Sequence, residues 1–315
     1  MLDIPKSFFE EENRLGFYIS EAMKKNWAMQ LTMLDEILKI ADRHGIKLWL
    51  DYGSLLGAVR HHGYVPWDDD VDISVMRKDY LPLLRYLEKE LPTGREVKSI
   101  YTSSDWNQPK AVIHSRQNLD IGNNPAEAAI TSQQFGFPCQ TFIDLYPMDY
   151  IPSDPRLWET VRNLYQVAHD LALDMDSYIA TGEFDEYLSQ LESLTGIHIK
   201  RDENIRTSIW QLADRISTMV TKKEANSVAW YPDVATASVP PARPLSCYNK
   251  TLFIDYELLK VPIPYGYDTV LKSVYGERYY VPIKGTAIHD YPHFAYQEKV
   301  ILSFSQLGQL GDIFL

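Results

Sequence analysis

Four aspartates crowd one short stretch, Asp68-Asp69-Asp70-Val71-Asp72. In an extended strand, residues two apart share a face at roughly 6.5–7 Å between Cα atoms, so Asp70 and Asp72 can aim at one point. Asp68 joins them if the strand reaches that far. Carboxylates so close repel and raise one another's pKa unless a cation neutralises them. A hard divalent ion with oxygen ligands, Mg²⁺ or Mn²⁺, is the natural partner. A solvated acidic loop is the competing reading, but these acids interrupt an apolar alternation, Val71, Ile73 and Val75, and not a polar linker. A further carboxylate stands in the run Thr141-Phe142-Ile143-Asp144-Leu145, where Asp144 needs a metal, a cation or hydrogen-bond donors. The alternative is that Asp144 or Asp149 caps a turn at Pro147. Gly53-Ser54 reads as a turn at a helix start, whose free N–H groups could hold phosphate.

The elements around these residues follow from periodicity. Trp27, Leu31, Leu34, Leu38 and Ala41 paint one face of a helix over Glu21 to His44, which Gly45 ends. Lys47 to Asp51 reads as a short strand, Leu55 to Arg60 as a short helix, and His61 to Trp67 as a loop. Alternation of Val71, Ile73 and Val75 with Asp70, Asp72 and Ser74 predicts a half-buried strand, one face apolar and the other acidic. Tyr80, Leu83, Leu84, Leu87 and Leu91 have helical spacing, and Glu96 to Tyr101, Ala111 to His114 and Thr141 to Tyr146 are strand candidates. After Pro152 the pattern turns helical, over Leu157 to Asp174 and Ile205 to Val220. From Ser238 onward proline, tyrosine and glycine punctuate short elements. No internal repeat or low-complexity tract occurs.

The 315 residues are 45% hydrophobic and 23% charged, an ordinary globular profile. A net charge of −12 argues against nucleic acid as a partner. Cys139 and Cys247 lie far apart and outside any zinc-ligand spacing, which suits reduced thiols. Neither a signal sequence nor an apolar run of about 18 residues is present, so the expectation is a cytoplasmic protein. Weak peripheral contact with the inner face of the membrane would suit a lipid-linked acceptor.

The unbroken run from Leu50-Asp51-Tyr52-Gly53-Ser54-Leu55-Leu56-Gly57 through Arg60-His61-His62-Gly63 and Pro66-Trp67 to Asp72-Ile73 resembles the signature of the LicD family, phosphocholine transferases and their ribitol-phosphate relatives. Phe142-Ile143-Asp144-Leu145-Tyr146-Pro147-Met148-Asp149 fits the same family, as does the tail from Val261-Pro262-Ile263-Pro264 through Asp268, Leu271 and Tyr275-Gly276 to His289. The resemblance implies an α/β (α+β) nucleotidyltransferase-like mixed sheet flanked by helices. By it, Gly53 and Ser54 touch phosphate, Asp70 and Asp72 bind metal, Asp144 is the third acid, and Asp68 is a further metal ligand. Arg60 and His61 would neutralise charge on a leaving group, or else pair with the acidic strand and hold its loop. The segment Lys110-Ala111-Val112-Ile113-His114-Ser115-Arg116 is a loose fit to the family's phosphate-contacting lysine segment. The tail has Val281-Pro282 and His289-Asp290 where relatives pair prolines and histidines.

The resulting expectation is a catalytic core over residues 1–152, a helical lobe over 153–237 and a C-terminal segment, 238–315, completing the domain. The implied reaction moves a phospho-alcohol from a CDP-alcohol donor to a hydroxyl of a glycan or glycolipid acceptor, releasing CMP. A metal-dependent glycosyltransferase holding a nucleotide sugar, and a catalytically inactive nucleotide-binding module, are the alternatives. With 21 tyrosines and 7 tryptophans, the chain could also supply an aromatic box for a quaternary ammonium.

Overall fold

The computed structural model describes residues 2–115, 134–236, 242–284 and 291–306. Arg116, His289 and Asp290 lie outside them. A hairpin of β1 (Glu12–Arg14) and β2 (Phe17–Ile19) leads into α1 (Glu21–Arg43), which Ser20 caps by accepting the Met23 N–H at 3.2 Å. The predicted stripe is buried, with Trp27, Leu31 and Leu34 fully so. Next come β3 (Leu48–Leu50), α2 (Tyr52–His61), β4 (Asp72–Met76), α3 (Arg77–Glu90), β5 (Glu96–Lys98), β6 (Ala111–His114) and the long β7 (Phe142–Pro152). A helical run follows: α4 (Pro155–Leu173), α5 (Met175–Thr181), α6 (Phe184–Thr195) and α7 (Ile205–Ser217). The chain returns through β8 (Ala225–Ala229), α8 (Tyr231–Thr236) and β9 (Arg243–Pro244). It then forms the hairpin β10 (Thr251–Tyr256)/β11 (Leu259–Pro264), α9 (Tyr267–Tyr275) and α10 (Ala295–Gln306).

The main sheet has the order β3-β4-β7-β6-β5, with β8 on the far part of β7 and β9 beside β8. Only β4 and β7 run parallel; the other pairs are antiparallel. This is a mixed α/β architecture of nucleotidyltransferase type. Proline is rarely tolerated inside a sheet because it cannot donate. Pro147 falls in the gap between the last β6 partner, Leu145, and the first β8 partner, Asp149, where β7 exchanges one antiparallel neighbour for another.

Three local expectations are corrected. Gly53 and Ser54 sit in the first turn of α2, not in a turn before it, because Asp51 caps the helix by accepting the Tyr52 N–H at 2.8 Å. The acidic strand starts only at Asp72, and it is buried on both faces, with β3 and β7 along its two edges. Phe142 to Pro152 is one continuous strand, so neither Asp144 nor Asp149 caps a turn at Pro147.

One apolar cluster joins α1, α2 and α3 to the sheet; a second gathers α4, α6 and α7 with Ile100 and Ile151. The helix expected to run from Ile205 to Val220 ends at Ser217, and Met219 beyond it is exposed. Arg77, the first residue of α3, ties the two clusters: its guanidinium donates to both oxygens of Asp149 on β7, at 2.6 and 2.7 Å, and to Asp214 on α7 at 3.0 Å.

Candidate active site

The site forms where β4 begins. Asp72 opens β4, and its register partner on the parallel β7 is Asp144. Asp70 precedes the strand in a loop, yet one carboxylate oxygen from each of Asp70, Asp72 and Asp144 falls within 4.8 Å of the others. Asp68, Asp69 and Asp70 form a second such trio. The loop is fixed from α1. The Trp27 indole donates to the Asp68 carbonyl at 3.2 Å, while the side-chain amides of Asn26 and Gln30 donate to the Asp69 carbonyl at 2.9 and 2.8 Å. That explains why these two amides are buried on α1. The Asp69 carboxylate instead accepts the His293 N–H at 2.6 Å, which straps the C-terminal segment onto the loop.

From the other side, α2 supplies backbone precision. Ser54 Oγ accepts the Asp72 N–H at 2.9 Å, and the Asp51 N–H donates to the Asp72 carbonyl at 2.9 Å. A Cβ at Gly53 would stand 2.5 Å from Asp68 Oδ2, so this glycine is what lets the Asp68 carboxylate close on the helix start.

Burial, reinforced by neighbouring acids with Asp70 foremost, pushes the carboxyls of Asp68 and Asp72 well above the usual range. Lys110 answers part of that charge: its ammonium pairs with Asp144 Oδ2 and lies 3.3 Å from the Tyr146 hydroxyl. That hydroxyl sits between two acids, 3.2 Å from Asp72 Oδ1 and 3.1 Å from Asp144 Oδ2. Asp144 Oδ1 is buried with no hydrogen-bond partner. Converging carboxylates, repulsion between them and one orphaned buried oxygen together fit a hard divalent cation.

Arg60 and His61 end α2 and interact with each other: Arg60 Nε donates to His61 Nε2 at 2.8 Å, and Arg60 Nη1 donates to the Tyr279 carbonyl at 2.9 Å. Burial and the Arg60 charge lower the His61 imidazole to about 4, so it stays neutral at physiological pH. These hydrogen bonds run to each other and to Tyr279, not to the acidic strand.

The sequence reading missed two contributors. Arg243 makes a fully buried ion pair with the α2 cap, 2.6 Å from Asp51 Oδ2, and its guanidinium lies 4.8 Å from the centre of the Tyr52 ring. Tyr146, the second, is one residue of the run Phe142 to Asp149. An arginine 192 residues from its partner has no local pattern to reveal it. Tyr146, two residues after Asp144 on the same face of β7, could have been found from strand periodicity. Tyr52, Tyr146 and Trp230 form an edge-to-face series, with ring centres 5.0 and 4.9 Å apart.

Residues 45–121 match the family model described as LicD/FKTN/FKRP, nucleotidyltransferase domain. The lipopolysaccharide cholinephosphotransferase LicD of Haemophilus influenzae is 27% identical over 128 residues, 40% of this chain and 44% of that protein. The ribitol 5-phosphate transferase FKRP of Homo sapiens is 42% identical over 43 residues, 14% of this chain and 9% of that protein. An uncharacterised protein of Rickettsia typhi is 35% identical over 66 residues, 21% of each chain. The chain thus aligns with less than half of each of these relatives, and the matched model covers the loop, helix and strand that carry Gly53, Asp68, Asp70 and Asp72. Over residues 45–121 the chain is thus similar to the nucleotidyltransferase domain of the LicD family.

Proposed function

We propose that the chain transfers a phospho-alcohol, phosphocholine or a similar polyol or amino-alcohol phosphate, from a CDP-activated donor to a hydroxyl of a glycan or glycolipid precursor, with release of CMP. The observation that carries this reading is the convergence of Asp70, Asp72 and Asp144 across the β4–β7 ladder with a lysine seated on the third acid. Two named relatives, a cholinephosphotransferase and a ribitol 5-phosphate transferase, support the same class of chemistry.

In this reaction the acceptor oxygen forms a bond to the phosphorus bearing the alcohol, the bridging P–O bond of the diphosphate breaks, and CMP leaves with that oxygen. Such steps depend on positioning and charge neutralisation more than on covalent participation by the protein. Asp70 and Asp72, with Asp68 beside them, are the residues that would hold Mg²⁺ (or Mn²⁺), whose bound charge neutralises the diphosphate. Asp144 Oδ1 is the oxygen left to complete that ligand set or to take the hydroxyl proton. Lys110 is placed to exchange its partner Asp144 for a phosphate oxygen. Gly53 admits Asp68 to the site, and Ser54 fixes the backbone of Asp72. Arg60 supplies positive charge, while neutral His61 orients it. The arrangement we propose is a core of residues 1–152 completed by 238–315, with 153–237 as a helical lobe. Among the described residues no helix is long and apolar enough to cross a membrane; contact with a lipid-linked acceptor would be peripheral.

The deciding experiment offers a panel of CDP-alcohols and nucleotide sugars with Mg²⁺ and candidate acceptors, and identifies the nucleotide released. CMP is expected. Release of a nucleoside diphosphate from a sugar donor would replace this reading with a glycosyltransferase, and binding without turnover across the panel would replace it with a nucleotide-binding module.

A further inference from the structure

A second concavity lies at the opposite end of the central strands. Asp51 and Asp72 mark the catalytic end of β3 and β4, whereas Lys47 precedes β3 and Met76 ends β4, about 13 Å away at roughly 3.3 Å per strand residue. There a cavity of about 260 Å³ opens, with Trp49 and Tyr248 among the residues of its wall. Three lysines line it, brought together from separate parts of the chain: Lys47 before β3, Lys78 in the first turn of α3 and Lys222 just before β8. Its volume falls just below the roughly 300–1,000 Å³ of small-ligand pockets, too small for a nucleotide but suited to a headgroup.

The charge here runs against the rest of the molecule, whose net is −12. Asp79, the acidic group in the lining, is taken by Lys78 at 3.4 Å. Lys47 and Lys222 have no carboxylate partner among the described residues. With Asp79 offsetting Lys78, the lining keeps a net positive charge from Lys47 and Lys222 that an anion would neutralise. Lysine, a compact charge with three rotatable donors, suits a tetrahedral anion approached from several sides.

We propose that this cavity is an anion site that takes a phosphate group, carried either by a soluble phosphomonoester or by an anionic lipid headgroup. It is separate from the acidic site and independent of the reaction proposed there. The test uses the full chain and Lys47→Ala/Lys78→Ala/Lys222→Ala, with circular dichroism and thermal melting confirming that the variant folds. The ¹⁵N-indole NMR signal of Trp49, assigned with Trp49→Phe, is followed while inorganic phosphate is added. In parallel, both proteins are sedimented with phosphatidylcholine vesicles with and without phosphatidic acid. A saturable shift of the Trp49 signal that weakens at least about tenfold in the triple variant supports the site and names a soluble phosphate as sufficient. Retention by phosphatidic acid vesicles that the triple variant loses supports it with a lipid headgroup as the source. A Trp49 signal insensitive to phosphate, combined with vesicle binding that is absent or equal in both proteins, overturns it. So does a phosphate shift of equal strength in the variant.

Discussion

Asp72 and Asp144 are register partners on adjacent parallel strands, and one tyrosine hydroxyl lies between their carboxylates. Two buried acids in that relation stay apart in charge only with help, from Lys110 on one side and, in the proposed enzyme, from a metal on the other. Asp70→Asn and Asp72→Asn should each lower kcat by at least about 10²–10³-fold, the scale of losing one preorganised electrostatic group. Because a repelling charge is removed, the metal-free melting temperature should hold or rise. Near-normal turnover in both variants would show that the metal site lies elsewhere.

Gly53→Ala probes the approach of Asp68. The added methyl meets the far end of a side chain, Asp68 Oδ2 at 2.5 Å, and not backbone, so the carboxylate can swing aside. Stability should change by less than about 1 kcal/mol, while Mg²⁺ affinity, measured by calorimetry, should weaken several-fold. Unchanged metal binding would remove Asp68 from the ligand set.

Lys110→Met removes the counterion of Asp144 while keeping most of the apolar stem. A loss of about 10–100-fold in kcat/KM is expected, carried by donor binding and kcat together if the ammonium contacts phosphate. A rise in KM alone, with kcat intact, would confine Lys110 to ground-state binding.

Arg243→Met leaves Asp51 charged and buried without its partner at the start of α2. Breaking such a pair costs about 3–5 kcal/mol, to be read from urea unfolding. Replacing both members, Arg243→Met with Asp51→Asn, should recover part of that loss.

His61 offers a pH signature. Its folded pKa of about 4 lies below the ordinary 6.5, so its contribution to stability is present above pH 6.5 and is lost as pH falls toward 4. An NMR titration of the imidazole should report that low value, and Arg60→Ala should raise it. A His61 that titrates near 6.5 in the native protein contradicts the neutral, accepting role.

The spacing of Trp27, Leu31 and Leu34 was enough to place α1, and the alternation around Ile73 was enough to place β4, because both patterns are local. The loop carrying Asp68 to Asp70 was not legible as a loop. Its shape is set by Trp27, Asn26 and Gln30 some forty residues earlier and by His293 more than two hundred later. Reading Gly53 as a turn residue missed a different constraint, the space that Asp68 needs. Asp144 stands out in the sequence because an acid in an apolar strand is anomalous by itself. Its pairing with Lys110 rests on β6 and β7 lying side by side, which no periodicity states.

The pairing of β7 with β8 has a consequence for how this chain can vary. Pro152 and Ala225 are register partners, so everything between them departs from and returns to a single rung of the sheet. The helices on that excursion can be exchanged for a different cassette without shifting the strand that carries Asp144, provided a substitute closes over the same few ångströms. Sequence change along that excursion can then proceed while the rung that anchors β7 stays in place.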